Sequence, residues 1–312
     1  MIILTNDTKK INENTCVALG NFDGVHKGHR KLISSLTEYA TLYSLKSCVY
    51  TFKTHPANIL GFGKALLTEN NEKIQIIDSL CCDYMYLEEF TDVRDMSPED
   101  FCRYVIFEKL NAKCVFCGEN YKFGKEGKGD ITTLKSELLK LGIDLIVVPC
   151  TKTPDGEIIS STRIREQLKS GNLQTAHSML GYNYSLSGTV IQGKQLGRKL
   201  GFPTVNIPIS ATKLIPKYGV YISECLVDGK KFNSITNIGI RPTVDKDIPT
   251  VNCETYIFDY TDNAYKKNIT VSLISMIRSE MKFDSVEKLS AQIKDDIMCA
   301  KQYFQHNNRS IQ

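Results

Sequence analysis

The sequence predicts an α/β plus β chain. An N-terminal Rossmann-like domain, a parallel sheet with helices on both faces, precedes a small antiparallel β-barrel with a packed C-terminal helix. Three observations predict this. Residues 1 to about 150 alternate short apolar runs with longer amphipathic ones, as strands buried under crossover helices do. After a change of character between Gly171 and Tyr184, strand and turn signals dominate up to Ile274. The chain then ends on one long amphipathic segment. At 312 residues two domains are the prior, and the composition shift puts them at 1–182 and 183–312.

In the first half the strand candidates are Cys16–Leu19, Ser47–Phe52, Asp83–Leu87, Lys113–Cys117 and Leu145–Val148. Between them, Leu32, Ile33, Leu36, Tyr39, Ala40 and Tyr43 recur at helical spacing. Ser97-Pro98-Glu99-Asp100 opens another helix, with Ser as cap, Pro in the first turn and acids suited to the dipole. A last helical pattern, Leu173 to Leu180, ends at Gly181. In the second half, Val220–Val227, Asp228-Gly229 and Phe232–Ile238 read as a tight hairpin. Thr250–Phe258 and Asn268–Ile274 are further strands. The closing helix is capped by Asp284, with Glu287 completing a capping box and Val286, Leu289, Ile293, Ile297 and Ala300 on one face.

Composition narrows the class. With 42% hydrophobic and 24% charged residues the chain is ordinary for a soluble globular protein. No apolar run approaches the ~20 residues of a membrane span, and the N-terminus lacks the basic and apolar regions of a secretion signal. A cytoplasmic protein without a membrane partner is expected. The eleven cysteines, an odd count scattered in apolar stretches, fit buried thiols in a reducing compartment. Cys114-Val-Phe-Cys117 has redox spacing but sits in a strand, so it reads as core packing. A net charge of +4 without long basic blocks does not describe a nucleic-acid binder. Lys122, Lys125 and Lys128, interleaved with glycines, are the nearest approach to a basic patch.

The most informative stretch is Gly20-Asn-Phe-Asp-Gly-Val-His-Lys-Gly-His-Arg30. It follows an apolar strand and precedes an amphipathic helix. Backbone N–H groups at a helix start attract anions, and His26 and His29 on one face there can donate to phosphate oxygens. Gly20, Gly24 and Gly28 let the backbone turn and a bulky ligand approach. Zinc ligation by the two histidines is disfavoured, because no third ligand or His-Glu-x-x-His glutamate accompanies them. The chemistry indicated is nucleotide phosphate handling. A second strand-end loop leads to Ser160-Ser161-Thr162-Arg163-Ile164-Arg165. These hydroxyls are N-caps on the bland reading, and polyphosphate donors beside guanidinium charge on the other.

His-x-Gly-His is the signature of nucleotidyltransferases, and Gly-Asn-Phe-Asp-Gly-Val-His-x-Gly-His resembles the adenylyltransferase module of bacterial bifunctional riboflavin kinase/FAD synthetases. The resemblance implies that the triphosphate lies between the two helix starts. Gly20, Asn21, Phe22, Asp23, Gly28, Ser160, Ser161 and Thr162 would form the nucleotide site, with His26, His29 and Arg165 as catalytic groups. Phe52-Lys-Thr-His55-Pro56 and Asn120-Tyr-Lys-Phe-Gly124 resemble the module's flavin motifs, so Phe52, His55, Pro56 and Asn120 would bind flavin there. Thr54, Asn120 and Lys122 depart from the family's Pro, Asp and Arg.

Downstream, Gly193 and Gly197-Arg-Lys-Leu-Gly201-Phe-Pro-Thr204-Val-Asn206 resemble the riboflavin kinase signature. That implies a nucleotide site at Gly193, Gly197, Arg198, Gly201 and Pro203, and magnesium on Thr204 and Asn206. Asn237-Ile-Gly-Ile-Arg-Pro-Thr243 and Val251-Asn-Cys-Glu254-Thr also match, which makes Glu254 the general base. Arg278, Glu280 and Phe283 align with a segment near the flavin. Val205, Ala264 and Lys266 are further departures. The implied activity is two-step: riboflavin and ATP give FMN and ADP, then FMN and ATP give FAD and pyrophosphate, with Mg²⁺ and no nucleic-acid partner. The alternatives are a chain with one working module, or a flavin or nucleotide sensor without turnover.

Overall fold

A computed structural model describes residues 1–193, 197, 201–241 and 250–309. The chain divides into two compact units, Met1–Ser161 and Thr162–Gln312.

The first unit is a parallel six-stranded sheet. Its strands are β1 (Ile2–Leu4), β2 (Thr15–Leu19), β3 (Lys46–Phe52), β4 (Tyr84–Glu88), β5 (Ala112–Gly118) and β6 (Asp144–Val148), in the order β1-β4-β3-β2-β5-β6. Helices α1 (Lys27–Leu42), α2 (Pro56–Ile59), α3 (Asn70–Asp78), α4 (Phe90–Val93), α5 (Pro98–Asp100) and α6 (Ile131–Lys140) connect them. Strand alternation produces two cores. On β2, Val17 and Leu19 join one cluster and Cys16 and Ala18 the other, and all are buried. The connection from β4 to β5 reverses the direction in which strands are added, and it does so beside β2. Ligands of open α/β sheets bind at such a reversal, beyond the carboxyl ends of the strands. The Gly20–His26 loop follows the end of β2.

Five strands fall where expected. β1 had no expected counterpart, being three residues at a sheet edge. Ser97 caps α5 by accepting from the Asp100 N–H at 3.0 Å. The helix then widens into a π-helical stretch, Phe101–Lys109. Cys114 and Cys117 on β5 are wholly buried, and burial pushes the Cys117 thiol up to about 12. Lys125 and Lys128 sit on an exposed turn, where Lys128 pairs with Glu126 at 2.9 Å.

Helices α7 (Ser161–Ser170) and α8 (Leu173–Leu180) lead into the second unit, and Gly181 ends α8 in the left-handed conformation (φ 82°). Strands β7 (Ser185–Thr189), β8 (Val205–Pro208), β9 (Gly219–Val227), β10 (Lys230–Arg241), β11 (Thr250–Ile257) and β12 (Asn268–Ser279) form an antiparallel sheet, ordered β7-β12-β9-β10-β11-β8. A bridge between Ile191 and Asn206 draws its two edges together, so the barrel is nearly closed. Val227 pairs with Lys230 across Asp228 (φ 49°) and Gly229 (φ 76°). Two positive φ values make this a hairpin turn whose twist matches the strands. β12 runs past the expected Ile274 to Ser279, through irregularities at Leu273/Ser275 and Met276/Arg278.

Helix α9 (Val286–Arg309) packs Ile297 and Ala300 against Val220, Ile222, Ile235 and Phe258. Its cap differs from expectation. Ser285, not Asp284, accepts from the Lys288 N–H at 3.3 Å, while Asp284 pairs with the Lys288 ammonium at 3.2 Å. Val286 is exposed, because the apolar stripe reaches the barrel only further along.

Candidate active sites

The loop after β2 is strained. Phe22 (φ 48°), Gly24 (φ 82°) and Val25 (φ 32°) all have positive φ, which costs about 1–3 kcal/mol at each non-glycine position. Asp23 holds the loop, accepting from the Leu67 and Thr68 N–H groups at 2.9 and 3.2 Å. The Thr68 hydroxyl in turn accepts from Gly24 N–H at 3.0 Å. Phe22 folds beneath the loop and is 1% exposed. A Cβ on Gly20 would stand 3.0 Å from its ring, so Gly20 is small to admit Phe22.

His26 is not inside the first helical turn, as the sequence suggested. It is the N-cap of α1, and its Nδ1 accepts from the His29 N–H at 3.3 Å. That fixes Nε2 as its remaining donor. The two imidazoles stack with centroids 3.6 Å apart, and Phe22 meets His29 edge-on at 5.3 Å. A Cβ on Gly28 would come within 3.2 Å of the His26 ring. Burial lowers the His26 pKa to about 4. Burial, with His26 and Lys73 close by, holds His29 well below the usual imidazole range. Both rings are therefore neutral at pH 7. The Nδ1 of His29 has no hydrogen-bond partner among the described residues.

The flavin-motif residues adjoin this loop. Asn21, Asp23, Phe52, His55, Thr68, Asn70 and Lys73 line one cleft. His55 caps α2 by accepting from the Ala57 N–H at 3.1 Å, and Pro56 occupies the first turn. Asn120 is exposed beyond β5, outside the residues lining that cleft. At the other helix start, the Ser161 hydroxyl donates to the Asp23 carbonyl at 2.8 Å. This ties the start of α7 to the Gly20–His26 loop. Ser160 precedes α7, Thr162 is exposed, and Arg165 is buried one turn along the same helix.

In the barrel, pairing of β8 with β11 sets Asn206 opposite Glu254. The Thr204 hydroxyl donates to the Glu254 carboxylate at 2.5 Å. The Asn206 side-chain oxygen accepts from the Asn252 amide at 2.6 Å, and Asn206 is 5% exposed. A Cβ on Gly193 would lie 2.5 Å from the Asn206 amide nitrogen, and one on Gly197 would strike the Phe202 carbonyl. The donor set is hydroxyl, amide and carboxylate oxygen, which suits a hard divalent cation that also bridges phosphates. Gly201 and Pro203 lie on the exposed approach to Thr204; Arg198 lies outside the described residues. Glu280 rests its carboxylate directly over Gly239, so a side chain there would displace it.

Arg278 makes a fork onto Asp296, with Nε at 3.0 Å from both carboxylate oxygens and Nη2 at 2.8 Å from one. Phe283 lies beneath its guanidinium, 5.7 Å away.

The FAD synthetase family profile matches residues 8–163, and the riboflavin kinase profile matches residues 180–304. The bifunctional riboflavin kinase/FMN adenylyltransferase of Bacillus subtilis is 34% identical over 303 residues, covering 95% of this chain and 94% of its own length. The chain belongs to the bifunctional riboflavin kinase/FMN adenylyltransferase family. The same-named protein of Escherichia coli K12 is 34% identical over 297 residues, covering 94% of this chain and 93% of that one. A crystal structure titled as a macrolide-efflux protein from Streptococcus pneumoniae superposes with a TM-score of 0.86 at 27% identity, covering 96% of this chain and 99% of that one. Among the described residues, no helix is long and apolar enough to cross a membrane.

For a member of this family, three features escaped the sequence reading. Asn252 supports Asn206, and only strand register reveals it. Asp296 engages Arg278 from within α9, 18 residues further along the chain. Lys73 is buried in the cleft beside the Gly20–His26 loop. Its signal was legible, since it stands four residues before the buried Ile77 on the same helix face.

Proposed function

We propose that the chain phosphorylates riboflavin to FMN in its barrel and adenylylates FMN to FAD on its parallel sheet, using ATP in both steps. The observation that carries this reading is the Thr204–Glu254 contact beside Asn206, because it sets a base and oxygen donors around one point on the barrel. We keep 1–182 and 183–312 as the functional domains, with the Ser160-Ser161 start of α7 serving the adenylyl step's nucleotide site. Cytoplasm, where ATP is made and thiols stay reduced, is the assigned compartment.

In the kinase step Glu254 takes the proton of the riboflavin 5′-hydroxyl as its oxygen attacks the γ-phosphorus of ATP. The bond to ADP breaks. Thr204 and Asn206 would hold Mg²⁺, which supplies positive charge to the phosphates when bound. Gly193, Gly197, Gly201 and Pro203 frame the ATP tail, a role that family resemblance extends to Arg198, and Glu280 and Phe283 the flavin. In the adenylyl step the FMN phosphate is already ionised at neutral pH, so no base is needed. The work is alignment and charge stabilisation. His26 and His29, being neutral, act as N–H donors to the triphosphate rather than as cations. Arg165 brings charge, and Ser161 fixes the two helix starts. Asn21 and Gly28 edge the nucleotide, while Phe52 and His55 face the flavin, a role that family resemblance extends to Pro56 and Asn120.

The test is the fate of labelled phosphate. With riboflavin, ATP labelled at the γ-position gives labelled FMN. With FMN, ATP labelled at the α-position gives labelled FAD. Unlabelled flavin in either arm removes that half of the assignment.

A further inference from the structure

Lys73, on α3, is 7% exposed. A lysine this buried is rare unless paired, yet no ion pair reaches it among the described residues. Its ammonium donates to the Phe52 carbonyl at 3.3 Å and the Asn21 carbonyl at 3.5 Å. Both contacts are long, and an ammonium has three N–H groups to place. Two carbonyls compensate a buried cation poorly. Asp23 is close enough to act on it, but its carboxylate already accepts from two backbone N–H groups.

The position of this cation matters. Asn21 belongs to the nucleotide loop, and Phe52 to the flavin motif. Lys73 thus stands at the seam of the two, on the wall of the cleft they share. Adenylyl transfer must join an FMN phosphate to the α-phosphate of ATP, so two anions must meet there. The neutral imidazoles supply no charge to offset their repulsion.

We propose that the Lys73 ammonium binds the 5′-phosphate of FMN and holds it for attack on the α-phosphorus of ATP. An FMN phosphate oxygen forms the new P–O bond. The bond from the α-phosphorus to pyrophosphate breaks, its electron pair leaves on pyrophosphate, and no proton moves. Burial lowers the Lys73 pKa to about 8, which leaves the amine mostly protonated at pH 7. The inference rests on the adenylyltransferase reading above.

Full-length Lys73→Met and Lys73→Arg are compared with wild type in steady-state FAD formation, with riboflavin phosphorylation by the same samples as an internal control. A charge-assisted contact to phosphate predicts a loss of about ten- to a hundredfold in kcat/KM for FMN in Lys73→Met. The KM for ATP stays within about twofold, Lys73→Arg recovers most of the loss, and FMN production is unchanged in all three. An FMN kcat/KM that barely moves overturns the proposal. So does a rise in the KM for ATP alone, which gives the cation to the triphosphate. Equal damage in Lys73→Arg and Lys73→Met also overturns it, because α3 is then merely stapled to its loops. If wild-type protein makes no FAD at all, it is the adenylyltransferase reading that fails instead.

Discussion

Family resemblance places Arg278 near the flavin of the kinase, the structure pairs it with Asp296, and removing Asp296 separates a flavin role from a structural one. Arg278 and Asp296 side chains are 17% and 4% exposed, and Gln292 adds a donor to Asp296 at 3.0 Å. Truncating one partner of a buried pair costs about 3–5 kcal/mol, because the other charge is left uncompensated. Arg278 can still reach some water, so Asp296→Ala should sit near the lower end, about 3 kcal/mol. For a unit of this size each kcal/mol moves the melting point by about 2–4 °C. The second unit should therefore melt about 6–12 °C lower. The assay is calorimetry of the full chain, with residual riboflavin phosphorylation and FAD formation measured after graded heating. Kinase activity should be lost first while adenylylation persists. The double variant Arg278→Met with Asp296→Leu should recover most of the stability, since a packed apolar pair avoids charge burial. A melting point that moves by less than about 2 °C, with a raised KM for riboflavin in the double variant, would refute this reasoning and return Arg278 to the flavin.

Other expectations follow from the same geometry. Gly193→Ala should push aside the Asn206 amide, lowering riboflavin phosphorylation about ten- to a hundredfold while FAD formation from supplied FMN is unchanged; initial rates with each flavin check this. His26 has a folded pKa of about 4 against an ordinary 6.5, so the unfolded chain binds the extra proton between those values. Its contribution, up to about 3 kcal/mol, is present above pH 6.5 and is lost as pH falls toward 4. Urea midpoints of the first unit measured across that range should drop on acidification, and His26→Gln should flatten the slope.

Much of the fold was legible because hydrophobic period and punctuation agreed. Five strands of the parallel sheet, the Asp228-Gly229 hairpin and the Gly181 stop needed only local chemistry. β1 was illegible because three residues cannot display a period. The extension of β12 passes through two irregularities that break alternation, so the pattern ended early at Ile274. Ser285 and Asp284 are both good caps, and only the backbone decides between them.

In the sites, the sequence pattern singled out His26 and His29, and family resemblance singled out Thr204, Asn206 and Glu254, but neither says what each touches. His26 lends its Nδ1 to the helix, Asp23 is spent on the Leu67–Thr68 backbone, and Phe22 is core. These assignments depend on loop conformation at positive φ, which residue type alone does not dictate. Arg278 shows the complementary limit, since its partner lies across a tertiary contact.

The central claim is that one polypeptide carries two separable phosphate-transfer sites. The most direct measurement follows flavins by chromatography in Glu254→Gln and His29→Ala samples, each given riboflavin or FMN with ATP and magnesium. Glu254→Gln should leave riboflavin unphosphorylated yet still convert supplied FMN to FAD, and His29→Ala should stop at FMN. Folded variants that each lose both conversions would contradict the account.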